Sequence, residues 1–271
     1  MESRLDSPRV ELSVVVPTVR PRADIEVIDY LDRCSFEDYE VIVRDDVPVT
    51  RARNEGYRRA SADKILFLDD DSMPRDGYLS EAAETLEAEA AVAGRTLHPR
   101  NDVFAGQLTA HYSFGDEPRY VDRFWGCNMG MRREALDAVG GWDEDMGWGH
   151  EEKELAERTL AEFPIYYNPE MVVDHVYAES LLDFWEKRFR LEKEAPYLLR
   201  KRGYSTGQIL VGTGTDLLNP KRYLGRSLSL TLARTGAAVA GAAGRIAGLR
   251  DDRLDANEEP SGHAGATRDS N

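Results

Sequence analysis

Three consecutive carboxylates, Asp69, Asp70 and Asp71, follow a run of four apolar residues at 65–68. Such a run is typical of a buried parallel strand, and open α/β sheets bind ligands at the carboxyl ends of their strands. Like charges this close repel strongly, and either raised pKa values or a divalent cation relieves the repulsion. Oxygen ligands favour Mg²⁺ or Mn²⁺. The segment therefore predicts a divalent-metal site, with a solvated turn as the alternative.

The elements needed to position these acids alternate along the chain. The hydrophobic pattern predicts strands at 12–16, 39–43, 65–68 and 91–94, separated by helices at 25–34, 51–60 and 78–90. Strands separated by helices form a parallel sheet through right-handed crossovers. This places Thr18 and Asp46 beside the three acids, in a crevice suited to a nucleotide. The chain has neither a GxGxxG turn after the first strand nor a GxxxxGK[ST] loop.

Composition limits the class of protein. The chain has 271 residues, is 41% hydrophobic and carries a formal net charge of −15, with arginine far outnumbering lysine. This length supports one large α/β domain with an appendage. Cys34 and Cys127 are too few for a disulfide framework or a zinc cluster, which fits a reducing cytoplasm. The polar first nine residues predict no signal peptide, and the acidic body predicts no nucleic-acid partner.

The C-terminal part of the chain has the opposite charge. Residues 186–250 contain 13 basic and 4 acidic residues, a net charge of +9. With Trp185 and Phe189 as apolar anchors, this segment could lie on an anionic membrane, or it could form basic helices packed on the acidic body. A spanning helix is not expected, because Arg234 and Arg245 enclose only ten residues. The polar residues 251–271 predict a disordered tail.

Seven segments resemble, in the same order, segments of the family 2 glycosyltransferases. The resemblance covers about residues 10–200, and the shared order makes chance a poor explanation. The segments are SVVVPT at 13–18, VIVRDD at 41–46, ARNEG at 52–56, ILFLDDD at 65–71, GCNMGMRREAL at 126–136, GGWDE at 140–144 and GHEEKEL at 149–155.

The resemblance implies a GT-A fold, a nucleotide-diphosphate-sugar donor, a divalent metal and inversion at the anomeric carbon. We therefore expect an α/β, Rossmann-like, mostly parallel sheet flanked by helices, with a basic helical extension at the C-terminus. The predicted divisions are a catalytic domain at 1–203, an extension at 204–250 that can associate with a membrane, and the tail. Acidic composition and length are most similar to haloarchaeal enzymes that build lipid-linked glycans for surface-layer proteins.

The resemblance also implies roles for residues on the donor side. In the family, the last acid of the DDD segment tends to bind the metal and the first tends to meet the ribose. Asp71 is then the metal ligand, Asp69 orients the donor and adds to the metal site, and Asp70 contributes locally to donor binding. Residues matching base-contacting positions are Thr18 and Asp46, the latter placed to accept a uracil N–H. The family's usual Gly-Ser is replaced by VPVT at 47–50, so the resemblance does not identify which nucleotide base is bound.

Arg53, or Arg51 near it, would meet the base or the phosphates, or these arginines would lie on the solvent face of a helix. His175 follows an apolar run at 171–173 and matches a histidine that completes metal or diphosphate coordination in several relatives. A single histidine is more often a satisfied structural residue. Asn128 matches a segment near the donor and acceptor sugars.

Inversion requires a carboxylate that removes a proton from the acceptor hydroxyl. Glu151 and Glu152 open a helix predicted over 151–163. Glu152 matches the family's usual Asp and is the predicted base, with Glu151 as the alternative. Acids in a first turn can also simply complement the helix dipole.

Two other classes remain open. An apolar strand followed by an Asp-x-Asp pair, as at Asp69 and Asp71, also resembles the nucleophile loop of haloacid-dehalogenase phosphohydrolases. Those enzymes place the loop after their first strand, whereas two predicted strands precede it here. The other class is a non-catalytic nucleotide-sugar-binding homologue, against which the retained carboxylates argue.

The expected reaction is metal-dependent transfer of a hexose or hexuronic acid from a UDP-linked donor. The expected acceptor is a glycan or a lipid-phosphate-linked glycan, such as one on dolichol phosphate, in protein N-glycosylation at the cell surface. We expect a cytoplasmic protein with peripheral contact on the cytoplasmic face of the membrane.

Overall fold

The computed structural model describes residues 10–100, 112–225, 227–251 and 253–254, so most of the predicted tail lies outside the described residues. The strands are β1 (Leu12–Pro17), β2 (Tyr39–Arg44), β3 (Lys64–Phe67), β4 (Met73–Pro74), β5 (Ala91–Leu97), β6 (Arg119–Val121), β7 (Met129–Arg132) and β8 (Ile165–Asp174). The helices are α1 (Glu26–Leu31), α2 (Val49–Arg59), α3 (Tyr78–Ala88), α4 (Arg133–Val139), α5 (Glu151–Glu162), α6 (Leu181–Lys201), α7 (Thr206–Leu218) and α8 (Leu228–Gly248), with short 3-10 turns at Arg22–Asp24 and Pro220–Arg222.

The strands form one mixed sheet in the order β2-β1-β3-β7-β5-β8-β4, with β6 beside β8. β1 runs parallel to both of its neighbours, with Pro17 opposite Arg44 on β2 and Val15 opposite Phe67 on β3. These registers bring the carboxyl ends of the first three strands to one edge, as the alternating pattern predicted. β7 is antiparallel to β3 and β5 and departs from that parallel order.

Both faces of the central strands are buried. Phe67 packs edge-on against Trp142 with ring centroids 5.3 Å apart, while the adjacent Leu66 packs with Leu79 of α3 on the opposite face. Strands covered on both sides consist of continuous apolar residues, which explains why β1 and β3 are visible in the sequence. Each fully buried Leu or Phe stabilises the fold by about 1.5–3 kcal/mol. The sheet edge that holds the acids is therefore a rigid platform.

Helix α8 packs closely along α6. A Cβ atom added at Gly244 would collide with the carbonyl oxygen of Phe189, and one added at Gly248 would collide with that of Lys193. Glycine at these positions lets the two helix backbones approach each other, so the basic segment is packed on the preceding helix. In the described part of the chain, no helix combines the length and apolar content needed to cross a bilayer.

Trp185, predicted to be a membrane anchor, is held within this helix pair. Its ring lies against Gly236, and its indole N–H donates a hydrogen bond to the carbonyl oxygen of Ala233 at 3.0 Å. The indole N–H is therefore used within the helix pair, while the half-buried ring keeps some exposure, and its role as a membrane anchor stays a prediction. The apolar side chains that α8 exposes lie along one line of the helix: Leu228, Leu232, Val239 and Ile246.

Candidate functional site

A cleft of about 1600 Å³ opens at the carboxyl edge of β1, β2 and β3 and extends to α6, α7 and α8. Its floor carries the acids that follow β3, and its far wall carries the first turn of α5. All but one of the site residues predicted from the sequence line it. Those that do are Thr18, Asp46, Arg53, Asp69, Asp70, Asp71, Glu151, Glu152 and His175.

Thr18 and Asp70 are joined directly at the sheet edge. The Thr18 hydroxyl donates a hydrogen bond to Asp70 Oδ2 at 2.5 Å and accepts one from the backbone N–H of Arg20 at 2.9 Å. The guanidinium of Arg20 lies 3.6 Å from Asp70 and 3.6 Å from Asp71. Arg20 was not among the site residues predicted from the sequence. Its position two residues after Thr18 is the only local signal, because the partner acids are about 50 residues away.

Asp71 contacts His175, the residue that directly follows β8, with 3.1 Å between Asp71 Oδ1 and His175 Nε2. Burial alone would raise the pKa of the Asp71 carboxyl, but the hydrogen bond and charge of His175 outweigh that effect and hold its pKa below the usual value. The Nδ1 atom of His175 is buried and has no partner among the described residues. A carboxylate and an imidazole in contact are two suitable ligands for a divalent cation.

A metal would need further ligands at this position. The described residues contain no group of three or more His, Cys, Asp or Glu side chains that could hold a metal ion. Mg²⁺ sites commonly use one or two protein carboxylates, with substrate phosphates and water supplying the rest. The pair formed by Asp71 and His175 fits a divalent metal of that kind, whose coordination is completed by the ligand.

Arg53 is a buried link between the two acidic parts of the cleft. It is 2% exposed, so the expectation of a solvent-facing side chain was wrong. Its guanidinium donates to Glu151 at 2.9 Å and to Asp69 at 3.2 Å, and its carbon lies 4.5 Å from the Trp142 ring centre. Burial and the neighbouring Asp71 and Glu151 carboxylates raise the pKa of Asp69 despite this arginine.

The two adjacent glutamates at the start of α5 have different surroundings. Glu151 is 4% exposed, and both of its carboxylate oxygens are engaged, one by Arg53 and the other by the backbone N–H of Gly149 at 2.6 Å. Glu152 is half-buried and lines the cleft. Burial, followed by the charge of Glu151, raises the pKa of Glu152 well above its usual value. A carboxylate destabilised in this way has a strong tendency to accept a proton.

Asp46, predicted to contact the base, accepts a hydrogen bond from Arg44 Nε at 2.8 Å and forms an ion pair with the same guanidinium at 2.6 Å. It remains partly exposed and lines the cleft near Thr18. The arginine holds the carboxylate at the end of β2 without covering it. Asp46 is therefore positioned at the same edge as the three acids.

Asn128 is the predicted site residue that the structure does not bring to the cleft. It is fully buried, and its amide nitrogen donates to the carbonyl oxygens of Arg95 and Met171 at 3.0 and 3.1 Å. Its amide oxygen accepts from the Tyr78 hydroxyl at 3.0 Å. These bonds use the polar atoms of the side chain to join β5, β8 and α3, so Asn128 acts as a structural residue.

His150 also lines the cleft, although its sequence spacing had no interpretable pattern. It precedes α5 with φ of 64°, a left-handed conformation that is uncommon outside glycine. Burial lowers the pKa of the His150 imidazole to about 4, so the ring is neutral near pH 7. Its Nε2 atom is buried and has no partner among the described residues.

Comparison with known proteins gives the class of this fold. Residues 26–140 match the family model described as Glycosyl transferase family 2. That match covers less than half of the chain; it includes Arg53 and the three acids after β3, and it ends before Glu151, Glu152 and His175. No curated protein matches the chain in sequence.

Two solved structures are similar over most of the chain. The mannosyltransferase PcManGT from Pyrobaculum calidifontis, in complex with GDP-Man and Mn²⁺, has a TM-score of 0.53 and 15% identity, covering 96% of this chain and 77% of that one. TarS 1-349 from S. aureus has a TM-score of 0.51 and 13% identity, covering 87% and 90%. GalNAc-T7 with UDP, GalNAc and Mn²⁺ has a TM-score of 0.49 and 12% identity, covering 64% of this chain, which spans 45% of that protein.

The chain has an α/β GT-A fold, a mixed sheet flanked by helices, and the predicted fold class is confirmed. Sequence identities this low show a shared fold and do not transfer substrates. Together with the family match, the fold supports a glycosyltransferase.

Proposed function

We propose that this chain is a metal-dependent, inverting glycosyltransferase that uses a nucleotide-diphosphate sugar. One observation carries the proposal: the Asp71 and His175 pair and the Glu152 carboxylate face the same cleft, at the carboxyl edge of a GT-A sheet. The family match over residues 26–140 supports the same class.

The donor occupies the side of the cleft formed by β1, β2 and β3. Thr18 and Asp46 contact the base, and Asp69, held by Arg53, orients the ribose. Asp71 and His175 would hold a divalent metal, Mn²⁺ or Mg²⁺, and that metal would supply the positive charge needed by the departing diphosphate. Asp70, fixed by Thr18 and Arg20, maintains the geometry of this loop.

Glu152 is the general base on the acceptor side. Its carboxylate takes the proton of the acceptor hydroxyl while that oxygen attacks the anomeric carbon from the face opposite the diphosphate. The new glycosidic bond forms as the bond to the diphosphate oxygen breaks, which inverts the anomeric configuration. Glu151 does not serve as the base, because Arg53 and the Gly149 N–H engage its two oxygens.

The acceptor we propose is a glycan or a lipid-phosphate-linked glycan, reached at the cytoplasmic face of a membrane. Exposed apolar side chains along α8 support membrane contact, with Leu228 87% and Leu232 54% exposed. The exposed Lys221 and Arg222 lie in the turn just before this helix. A hexose or hexuronic acid on UDP is the proposed donor. The surface-layer role is supported only by the acidic, arginine-rich composition and its similarity to haloarchaeal enzymes.

A donor panel tests the proposed function. The protein would be incubated with UDP-, GDP- and dTDP-linked sugars in Mn²⁺ or in EDTA, and release of nucleoside diphosphate measured with and without octyl-linked acceptor sugars. We expect metal-dependent release from one donor and a product of inverted anomeric configuration by NMR. Phosphate release from simple phosphoesters without sugar transfer would instead indicate a phosphohydrolase. Donor binding without any turnover would indicate a non-catalytic homologue.

A further inference from the structure

The part of the cleft formed by α6, α7, α8 and the Pro220–Arg222 turn is strongly basic. Among the described residues that line it are seven basic side chains and two acidic ones, in a chain whose net charge is −15. We call this part the basic arm. A concave surface lined by one sign of charge raises the local concentration of ions of the opposite sign. The basic arm is therefore expected to attract anions, although the chain as a whole is acidic.

The two acidic side chains of the basic arm are already paired. Glu192 accepts from Arg188 at 2.6 Å and from Arg245 at 2.5 Å. Asp216 accepts from Arg245 at 2.8 Å and from Arg222 at 2.8 Å. These ion pairs join α6, α7 and α8 into a rigid wall, and they leave neither carboxylate available to neutralise another cation.

Three other cations of the basic arm form no ion pair with any described residue. Lys221 is exposed, and its ammonium group has no ion-pair partner in the part of the chain that the structure describes. The Arg234 guanidinium donates a hydrogen bond to the carbonyl oxygen of Leu224, at 2.7 Å. The Arg190 guanidinium lies 5.0 Å from the centre of the Trp148 ring, a cation–π contact that involves one face of the cation.

The cleft wall that α8 forms after Arg234 consists mainly of small apolar residues. Ala237, Ala238 and Ala242 of α8 line the cleft there, with Leu217 of α7 at the side. Small side chains leave room for a chain to lie along the helix. An anion attached to an apolar chain would contact both kinds of surface.

The basic arm adjoins the acceptor side of the cleft. Arg190 of α6 lies over the Trp148 ring, and a Cβ atom added at Gly149 would lie 2.9 Å from the Cα atom of Leu191, so α6 passes beside the segment that leads into Glu152. Lys187 of the basic arm, which pairs with Asp183, also acts electrostatically on Asp71 and His175 and so faces the proposed position of the donor diphosphate. An anion held by Lys221 and Arg234 would be a second one, belonging to the molecule that approaches Glu152.

We infer that the basic arm binds a phosphate or diphosphate ester carried by the acceptor, and this inference rests on the proposed function. Lys221 and Arg234 donate to the phosphate oxygens. The alanines of α8 contact the group to which the phosphate is attached. The shared chemistry is a phosphate ester, either of a lipid carrier or of a soluble glycan.

Direct binding measurements test this site without requiring turnover. Octyl phosphate and inorganic phosphate would be titrated calorimetrically into the wild-type chain and into Lys221→Gln/Arg234→Gln. A matched control, Arg59→Gln/Arg250→Gln, removes two exposed cations that do not line the cleft. We expect the cleft variant to lose about tenfold or more in affinity for octyl phosphate, as removal of charge-assisted hydrogen bonds predicts. The control should stay within about twofold of wild type.

The comparison of the two ligands identifies the source of the phosphate. Octyl phosphate binding tighter than inorganic phosphate, with both weakened by the cleft variant, supports a lipid carrier. Equal affinities with the same loss support a phosphorylated soluble acceptor. No binding by the wild type, or equal binding by the cleft variant, would overturn the site.

Donor binding separates this inference from the proposed function. Lys221→Gln/Arg234→Gln should bind the UDP-sugar in Mn²⁺ within about twofold of wild type, because neither residue lies on the donor side. A wild-type chain that binds octyl phosphate through these residues but no nucleotide sugar would contradict the proposed function and still support the site. Normal sugar transfer with no phosphate binding would support the proposed function and contradict the phosphate site.

Discussion

The Arg53 guanidinium donates a hydrogen bond to Glu151 across 2.9 Å, and both side chains are almost completely buried. This contact joins α2 to the first turn of α5, while the other nitrogen of the guanidinium reaches Asp69. The two acidic parts of the cleft, at Asp69 and at Glu151, are thus joined by one arginine. The guanidinium carbon also lies 4.5 Å from the centre of the Trp142 ring, within cation–π distance.

Arg53→Met is expected to lower the free energy of unfolding by about 3–5 kcal/mol, because it leaves the buried Glu151 carboxylate without its partner. Urea denaturation followed by circular dichroism would measure this loss. Arg53→Met/Glu151→Met should recover most of it, since no charge then remains buried at the contact. Strictly additive losses in the double variant would show that the pair is not coupled.

Asp71→Ala is expected to abolish sugar transfer and metal-dependent donor binding, because the diphosphate loses the carboxylate that holds its counter-ion. Calorimetric titration of donor with and without Mn²⁺ would separate binding from turnover. Asp45→Ala is a matched control, since this exposed acid lies near the same sheet edge without lining the cleft. Full activity of EDTA-treated protein would remove the metal from the mechanism.

Glu152→Gln should reduce kcat by roughly 10²-fold or more with little change in donor binding, because the amide keeps the shape but cannot accept a proton. Glu151→Gln should act differently. It disturbs the bonds from Arg53 and Gly149, so its main effect should be a lower Tm. A normal turnover rate for Glu152→Gln together with an inactive but stable Glu151→Gln would move the base to Glu151.

The rate should depend on pH through Glu152. A general base must be deprotonated to act. Because burial and the charge of Glu151 raise the pKa of Glu152, kcat/KM should rise with pH and then level off, with the midpoint of the rise above the usual glutamate pKa of about 4.3. Glu151→Gln should move this midpoint to lower pH by removing a like charge.

The raised pKa of Glu152 in the folded state also means that the protonated form favours folding, and this contribution to stability disappears as pH rises from the unfolded-state pKa to the folded-state pKa. Glu152→Gln should therefore stabilise the fold at pH 7.

Membrane contact is tested by cosedimentation with anionic liposomes. Leu228→Ser/Leu232→Ser should weaken binding at both low and molar salt, because it removes exposed apolar area. Lys221→Glu/Arg222→Glu should weaken it mainly at low salt, since the Debye length falls to about 3 Å at 1 M. Failure of the wild-type chain to bind liposomes at any salt concentration would exclude this docking mode, and concentration-dependent self-association would point to a second copy on α8.

The sequence by itself determined the sheet edge and its acids. β1 and β3 are buried on both faces, and such strands are recognisable from local sequence because they form nearly continuous apolar runs. Thr18, Asp46 and residues 69–71 follow strands directly, so parallel order was enough to bring them together. The charge contrast between the body and the C-terminal segment is also a property of composition alone.

Only the tertiary structure decided which of these side chains are available. Arg53 and Glu151 are 98 positions apart in the chain, and nothing local indicates that one would bury the other. The same holds for Asn128, whose amide is used by β5, β8 and α3, and for Trp185, whose indole N–H donates to α8. Periodicity shows that a helix has a buried face, but long-range packing chooses its partner. That choice gives Glu151 a buried arginine partner and leaves Glu152 beside it, lining the cleft.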